Sequence, residues 1–230
     1  MLEIDNVSAF HGEAVAIRDV SLRVADGEIV TLCGRNGAGK TTLLRTIMGL
    51  HRQHTGQIRY GGVDITRAPS HVRARLGLGW VPDDRGAYAT LTVEESLTLS
   101  HVRKADSWSL DRIYETFPSL ASRRGTPSNR LSGGEQQMLA IARVLHMGSR
   151  LVLADEPTEG LSPRLVAEVG DVLREVRAHG VAVLLVEQNV HFAATVADRH
   201  HLLAEGRLVA EFAADELADR EPELLAYLGL

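Results

Sequence analysis

The chain has 230 residues, of which 44% are hydrophobic and 24% are charged. This length and composition fit one globular domain with a substantial core. The formal net charge of −5 argues against direct binding of nucleic acid, because such proteins usually carry a basic surface.

Targeting and membrane segments are not evident in the sequence. The N-terminus, "MLEIDNVSAF", lacks the basic and apolar regions of a signal peptide. The longest apolar run, residues 181–186, is too short to span a bilayer. Any membrane role is therefore expected to be peripheral and to act through partners. The single cysteine, Cys33, lies in an apolar run and is expected in the core.

The N-terminal third predicts short β-strands. "LEIDNV" and "AIRDVSLRV" have strand composition, and the second alternates polar and apolar residues as a half-buried strand does. "EIVTLCG" is continuously apolar, which is typical of a central buried strand. "GQIRYGGVDIT" predicts a hairpin that turns at Gly61 and Gly62.

A glycine-rich segment follows the apolar strand and precedes a predicted helix. It has the pattern G-x-x-x-x-G-K-[ST] and consists of Gly34, Arg35, Asn36, Gly37, Ala38, Gly39, Lys40 and Thr41. Its backbone N–H groups and the following helix N-terminus would surround a phosphate. Lys40 would reach the β- and γ-phosphates, and Thr41 would ligate Mg²⁺, with Thr42 also in the nucleotide-binding set. The alternative is a glycine-rich turn without a ligand.

The middle of the chain predicts a small helical insert over about residues 83–148. "TVEESLTLS" begins with Thr92, and Glu95 stands at the capping-box position. "LDRIYETFPSL" is a second candidate helix. In "LSGGEQQMLAIARVLH" one helical face is apolar and is formed by Met138, Leu139, Ala142 and Leu145.

The last third alternates strand and helix. "RLVLAD" and "VAVLLVE" predict buried strands, and the segment between them predicts a helix with Pro163 at its start and Gly180 past its end. This order predicts a mostly parallel sheet covered by helices on both faces. The tail "PELLAYLGL" predicts a short apolar helix or cap.

Two consecutive carboxylates, Asp155 and Glu156, stand at the end of the strand in "LVLADE". In a parallel α/β sheet they would lie beside the phosphate-binding segment, where Asp155 would hold Mg²⁺ through water and Glu156 would orient or deprotonate an attacking water. The alternative is a pair of solvated charges at a strand end.

A second candidate anion site lies at "LSGGEQQ". Ser132 is a candidate N-cap and Glu135 stands at the capping-box position. Gly133 and Gly134 make a poor first helical turn but a good nest of N–H groups for an anion. A self-contained capping box is the alternative.

With the phosphate loop, "LSGGEQ" and "LVLADEP" following one another in this order and spacing, the chain resembles the nucleotide-binding subunits of ABC transporters along its whole length. The resemblance implies an α/β P-loop NTPase fold of the ABC ATPase type, in a single domain over residues 1–230. Residues 1–82 and 149–230 would form the mostly parallel core and an N-terminal antiparallel β subdomain, and about 83–148 a helical subdomain with the signature motif. It also implies a head-to-tail pair, in which each ATP lies between one phosphate loop and the partner's Ser132, Gly133, Gly134 and Gln136.

Further segments narrow the resemblance. "VTLCGRNGAGKTTLLRTIMG", "LTVEESL", "DEPTEGLSP", "LLVEQN" and "LAYLGL" are similar to the second, shorter ATPase subunit of importers for branched-chain amino acids and their amide and urea relatives. The implied ligands are ATP and Mg²⁺. The implied partners are a second ATPase subunit, two transmembrane permease subunits and, indirectly, an extracytoplasmic solute-binding protein. The second ATPase subunit is expected to be a different chain, with a homodimer as the alternative. The implied location is the cytoplasmic face of the membrane, and the permease is expected beside residues 83–88.

Four positions depart from the general ABC pattern. Asp83 replaces a glutamine near Mg²⁺, Gln188 replaces a catalytic histidine, and Ser162 replaces an acid in the loop after Glu156. His11 replaces the aromatic residue that stacks on adenine. Gln188 can still donate a hydrogen bond to the γ-phosphate. The departures predict a division of labour with a different ATPase subunit.

Two other readings remain open. One is a soluble ABC ATPase of DNA repair or translation, which usually has tandem cassettes or a long coiled-coil insert. The other is a nucleotide-binding regulatory subunit with little turnover, which Glu156 argues against.

Several polar clusters are expected to be solvated surface. These are the pairs His51 and His54, and His200 and His201, which have no accompanying ligand set for a metal. The segment "SHVRARL", residues 70–76, is likewise expected to be a solvated face.

Overall fold

The computed structural model describes residues 1–99, 104, 106–216 and 220. The strands of this part of the chain are β1 (Leu2–His11), β2 (Ala14–Val24), β3 (Ile29–Cys33), β4 (His54–Tyr60), β5 (Val63–Asp64), β6 (Leu78–Val81), β7 (Leu151–Asp155), β8 (Ala182–Glu187), β9 (Arg199–Ala204) and β10 (Arg207–Ala213). The helices are α1 (Lys40–Met48), α2 (Ser70–Leu76), α3 (Val93–Thr98), α4 (Leu110–Thr116), α5 (Pro118–Ala121), α6 (Gly133–His146), α7 (Pro163–Ala178) and α8 (Val190–Val196). The tail predicted as a helix or cap lies outside the described residues.

A six-stranded sheet forms the centre of the molecule, in the order β10-β9-β3-β8-β7-β6. Its strands from β9 to β6 run parallel, and β10 pairs antiparallel with β9. Every residue of β3, β7 and β8 is buried, which agrees with their continuous apolar sequences. The predicted mostly parallel α/β core is confirmed.

The N-terminal antiparallel sheet is also confirmed, in the order β2-β1-β4-β5. β4 and β5 form the predicted hairpin. Its two turn glycines, Gly61 and Gly62, have positive φ of 57° and 80°, a backbone region that favours glycine.

Two apolar clusters pack on the two faces of the six-stranded sheet. Alternate residues of β7 enter different clusters, because side chains alternate along a strand. Val152 and Ala154 join the helices α6 and α7, whereas Leu151 and Leu153 join α1 and the antiparallel sheet. Cys33 is buried as predicted, at 1% exposure.

Helices α3 to α6 lie between β6 and β7 in the chain, within the span predicted as a helical insert. Both predicted capping boxes are confirmed, at Thr92 before α3 and at Ser132 before α6. The single helix predicted over "LDRIYETFPSL" is wrong. It divides into α4 and α5 at Phe117, because Pro118 disfavours helical backbone at the residue before it.

The segment 70–76 is helix α2, and the prediction that it is a solvated face is wrong for Arg73. This side chain is 1% exposed. Its guanidinium donates to the carbonyls of Thr46 and Ile47 at 2.8 and 2.6 Å and to those of Thr66 and Ala68 at 3.0 and 2.8 Å. Arg73 therefore caps the C-terminus of α1, where a cation also interacts favourably with the helix dipole.

The histidine pairs are also more buried than the sequence suggests. His54, His200 and His201 are 8%, 0% and 1% exposed, so the prediction of solvated surface is wrong for them. His200 Nδ1 lies 2.7 Å from Thr31 Oγ1 within the sheet. Among the described residues, no group of three or more His, Cys, Asp or Glu is placed to hold a metal ion.

In the described ranges, no helix has both the length and the apolar character to cross a bilayer.

Candidate functional site

The candidate site lies at one edge of the six-stranded sheet. In β3, β8 and β7, which are neighbours, Cys33 pairs with Glu187 and Asp155 pairs with Val186. The segments that follow these strands therefore leave the sheet side by side. Ligands of open parallel α/β sheets bind at this carboxyl edge.

In the phosphate loop, residues 34–41, glycine is required where φ is positive and where neighbouring backbone atoms leave no room for a Cβ. Gly37 and Gly39 have φ of 83° and 107°. A Cβ at Gly34 would lie 2.5 Å from Leu203 O, and one at Gly39 would lie 2.7 Å from Ala16 O. Only glycine fits both positions, and the resulting tight turn leads directly into α1.

Lys40 is buried at the centre of this loop, with 4% exposure. Its Nζ donates to Gly34 O at 2.7 Å and to Arg35 O at 3.0 Å. The same atom lies 3.0 Å from Glu156 Oε1. The ammonium is thus fixed between the loop and the acid that follows β7.

Asp155 is fully buried and offers a site for a hard cation. Thr41 Oγ1 donates to Asp155 Oδ1 at 3.2 Å, while Asp155 Oδ2 has no hydrogen-bond partner. Burial, together with the nearby charges of Asp83 and Glu156, raises the pKa of Asp155 to about 6 against the opposing effects of Thr41 and Lys40. A buried carboxylate oxygen without a donor fits Mg²⁺, which prefers oxygen ligands.

Glu156 has a left-handed backbone conformation, with φ of 47°. Such a conformation in a non-glycine residue costs about 1–3 kcal/mol. Its N–H donates to Val186 O at 2.9 Å, which anchors it to the end of β8. The strain is located at the residue whose carboxylate meets Lys40.

Glu187 is a site residue that the sequence analysis missed. It ends β8, is 2% exposed, and accepts hydrogen bonds from Thr158 Oγ1 at 2.8 Å and Thr158 N at 3.2 Å. Asn189 N donates to its other oxygen at 3.4 Å. Burial raises the pKa of Glu187 to about 7. The only sequence signal was an acid at the end of a wholly apolar strand, directly before Gln188.

The other residues predicted for this site are His11, Asp83 and Gln188. His11 ends β1, and its Nε2 lies 3.4 Å from Thr42 Oγ1. Its ring meets that of His51 edge-on, with 4.8 Å between centroids. Asp83 and Gln188 are exposed in the segments after β6 and β8, and Asp83 is close enough to raise the pKa of Asp155.

The signature turn, Ser132 to Gly134, begins α6. Ser132 is exposed, Glu135 N donates to its hydroxyl at 3.3 Å, and Glu135 Oε2 accepts from Ser132 N at 2.8 Å. The nearest atoms to a Cβ at Gly133 would belong to Arg85, and those to a Cβ at Gly134 to Leu165.

Gln136 lies one helical turn into α6 and faces its own chain. Its amide donates to Ser128 O at 3.0 Å and to Leu131 O at 3.4 Å. In this conformation Gln136 supports the segment that precedes the signature turn.

The chain is similar to one protein family and to curated ATP-binding proteins of transport systems. The ABC transporter family matches residues 17–159. The chain is 40% identical to the high-affinity branched-chain amino acid transport ATP-binding protein BraG of Pseudomonas aeruginosa, over 100% of both chains. It is 35% identical to the lipopolysaccharide export system ATP-binding protein LptB of Acidithiobacillus ferridurans, over 100% of this chain and 97% of that protein.

A comparison with solved structures supports the fold. A nucleotide-free ATP-binding cassette from an ABC transporter superposes with a TM-score of 0.86 at 22% identity. The match covers 100% of this chain and 98% of that one.

Proposed function

The chain belongs to the ABC transporter family, whose members are ATPases, and we propose that it hydrolyses ATP to drive import of branched-chain amino acids or related small polar solutes. The observation that carries the ATPase part is the convergence of Lys40, Asp155 and Glu156 at one sheet edge. A buried cation, a buried acid and a strained acid at one point are a costly arrangement that phosphoryl chemistry explains.

Nucleotide would bind along the phosphate loop and the start of α1. The backbone from Gly34 to Thr42 would surround the β- and γ-phosphates, with Lys40 as the fixed cation. His11 would stack on the adenine, and its position beside Thr42 in the first turn of α1 supports this role. Imidazole offers a smaller stacking surface than tyrosine.

Hydrolysis would use Glu156 as the general base for the attacking water. Lys40 would stabilise charge on the γ-phosphate, and Gln188 would donate a hydrogen bond to it. Thr41 and Asp155 would hold Mg²⁺, with Asp83 binding it or its water. When bound, Mg²⁺ supplies positive charge that offsets the negative charge of the phosphates.

The signature turn is proposed to complete the site of a partner subunit. Ser132 is exposed at the N-terminus of a 14-residue helix, and the N–H groups of Gly133 and Gly134 follow it. In a head-to-tail pair this turn would meet the γ-phosphate held by the other subunit. The departures at Asp83, Gln188 and His11 favour a pair with a different ATPase chain.

A groove with several exposed apolar side chains suits a membrane partner. It has a volume of about 530 Å³, and its lining includes the exposed apolar side chains Leu50, Tyr88, Leu99 and Met147. We propose that a segment of each permease subunit lies here, and that this places the chain at the cytoplasmic face of the membrane. A solute-binding protein outside the membrane would act through the permease.

The groove supports the proposed division of the chain. Residues 1–82 and 149–230 would form the core and β subdomain, and about 83–148 the helical subdomain. The groove lies between them, since it is lined by Met48 and Trp80 on one side and by Leu97 and Val144 on the other.

Transport assays can test the solute. We expect cells that lack this chain to lose uptake of radiolabelled leucine, and the wild-type chain, but not Lys40→Ala, to restore it. Normal leucine uptake in the deleted strain would contradict the assignment to branched-chain amino acids.

Export of lipopolysaccharide is the second candidate, because the export protein LptB is 35% identical to this chain. Depletion of the chain would then leave leucine uptake unchanged and cause newly made lipopolysaccharide to accumulate at the inner membrane. This result would support the export reading.

A further inference from the structure

Glu187 is the buried acid of the site to which the proposed hydrolysis gives no role. It carries no ion pair among the described residues, and its hydrogen bonds come from Thr158 and Asn189. Burying a carboxylate at 2% exposure without a cation is unfavourable. The hydrogen bonds of Glu187 should therefore indicate why an acid occupies this buried position.

The contacts of Glu187 restrain the loop that contains Glu156. One oxygen accepts both the N–H and the hydroxyl of Thr158, two residues after Glu156. Glu159, the residue after Thr158, donates its N–H to Glu156 O at 3.1 Å, which closes a tight turn over residues 156–159. The carboxylate thus holds this turn from the side of β8.

Glu156 needs such restraint because its backbone is strained. Its φ is 47°, and a strained residue keeps its conformation only where its surroundings fix it. One anchor is Val186 O, which accepts from Glu156 N at 2.9 Å. The other is the pair of bonds from Thr158 to Glu187, the next residue of the same strand.

We propose that Glu187 is a positioning residue for Glu156. By fixing Thr158, it keeps the turn of residues 156–159 in the geometry that directs the Glu156 carboxylate to Lys40 Nζ, 3.0 Å away. The proposal rests on the assignment of Glu156 as the general base. Glu187 itself touches neither nucleotide nor water in this scheme.

The test compares Glu187→Gln with Glu159→Gln, an exposed acid in the same turn. ATP turnover and nucleotide affinity are measured on the tagged chain purified with its bound membrane subunits. In Glu187→Gln an NH2 group replaces one acceptor oxygen and faces a backbone N–H, and the remaining neutral oxygen accepts more weakly than a carboxylate. This change is expected to lower kcat about tenfold and to change the KM for Mg-ATP less than twofold. The control should match the wild type. Unchanged kcat in Glu187→Gln, or a loss of affinity in place of kcat, would overturn the proposal.

Combination with Glu156→Gln separates positioning from a general structural effect. If Glu187 acts through Glu156, Glu187→Gln has no further effect on the residual turnover of Glu156→Gln, measured over hours with radiolabelled ATP. Multiplied losses in the double variant would overturn the proposal. Glu156→Gln with wild-type turnover would instead refute the base assignment itself.

A second variant, Thr158→Val, distinguishes a loss of positioning from misfolding of Glu187→Gln. Thr158→Val removes the 2.8 Å hydroxyl bond and keeps both the backbone bond and the residue volume. It should reproduce the loss of kcat at unchanged KM, with a smaller amplitude. Wild-type turnover in a folded Thr158→Val protein, with an unfolded Glu187→Gln protein, would assign Glu187 to stability alone and overturn the proposal.

Discussion

Lys40 is the residue on which nucleotide binding depends most. Its ammonium is held by two loop carbonyls and Glu156, so it is oriented before any phosphate arrives. Lys40→Ala is expected to weaken Mg-ATP binding at least a hundredfold, because truncating one partner of a buried charge pair costs about 2–5 kcal/mol. Isothermal titration calorimetry measures this directly.

The matched control for this change is Arg45→Ala. Arg45 is an exposed cation in the last turn of the same helix, so its removal changes the net charge equally. The affinity of the Arg45→Ala variant for Mg-ATP should stay within about twofold of that of the wild type. Equal affinities in both variants would show that Lys40 does not bind the phosphates.

Asp155 illustrates the cost of the site to the fold. Burial raises its pKa to about 6 from an ordinary 3.8, so the folded state binds more protons than the unfolded state between these pH values. Stability therefore falls as pH rises through this window. Asp155→Asn is expected to raise the free energy of unfolding above pH 6 by about 1–2 kcal/mol, less than the full shift implies because the buried amide N–H groups would lack acceptors.

The same variant should lose Mg-dependent ATP hydrolysis, since the amide replaces an anionic ligand. Urea denaturation at pH 7.5 and pH 4 tests the stability part, because the gain should vanish at the lower pH. Equal gains at both pH values, or a loss at pH 7.5, would mean that the buried charge of Asp155 is not what destabilises the fold.

At the scale of elements, the junction of α1 and α2 depends on Arg73. Its guanidinium satisfies four carbonyls, two of them at the C-terminus of α1. Arg73→Met should destabilise the protein by about 2–4 kcal/mol, because several buried acceptors would lose their donors. Arg75→Met, on the exposed face of the same helix, should change stability by less than about 0.5 kcal/mol. Chemical denaturation compares the two, and equal effects would contradict the capping role.

Elements with a strong local signal could be predicted from the sequence. Strands β3, β7 and β8 are uninterrupted apolar runs, and the capping boxes at Thr92 and Ser132 are four-residue patterns. Burial of polar residues could not be predicted this way. Arg73 finds its acceptors 26 and 27 residues earlier in the chain, and His200 finds Thr31 169 residues away, so no local pattern contains these contacts.

In the candidate site, too, local motifs could be predicted from the sequence and long-range contacts could not. The segment from Gly34 to Thr41 and the pair Asp155 and Glu156 belong to continuous motifs, and the parallel sheet brings them together as expected. Glu187 has no motif of its own. Its link to Thr158 arises only because β7 and β8 are neighbours in the sheet.

At the scale of the whole molecule, the signature turn tests whether two subunits share one nucleotide. Ser132 and Ser109 are both N-caps, and each accepts a backbone hydrogen bond. Ser132→Ala and Ser109→Ala should each cost about 1 kcal/mol of stability. Only Ser132→Ala should also lower ATP turnover of the assembled transporter, because Ser132 alone would meet the partner's γ-phosphate. Equal turnover in the two variants would contradict a shared site.

We propose that this chain hydrolyses ATP at the edge formed by β3, β7 and β8, with Glu156 as the base. The most direct measurement is Mg-ATP turnover and Mg-ATP affinity of Glu156→Gln in the assembled transporter, beside Glu159→Gln as the control. For Glu156→Gln alone we expect affinity within about threefold of the wild type and turnover lower by roughly 10²–10⁴-fold. Unchanged turnover of Glu156→Gln in a homogeneous preparation would contradict it.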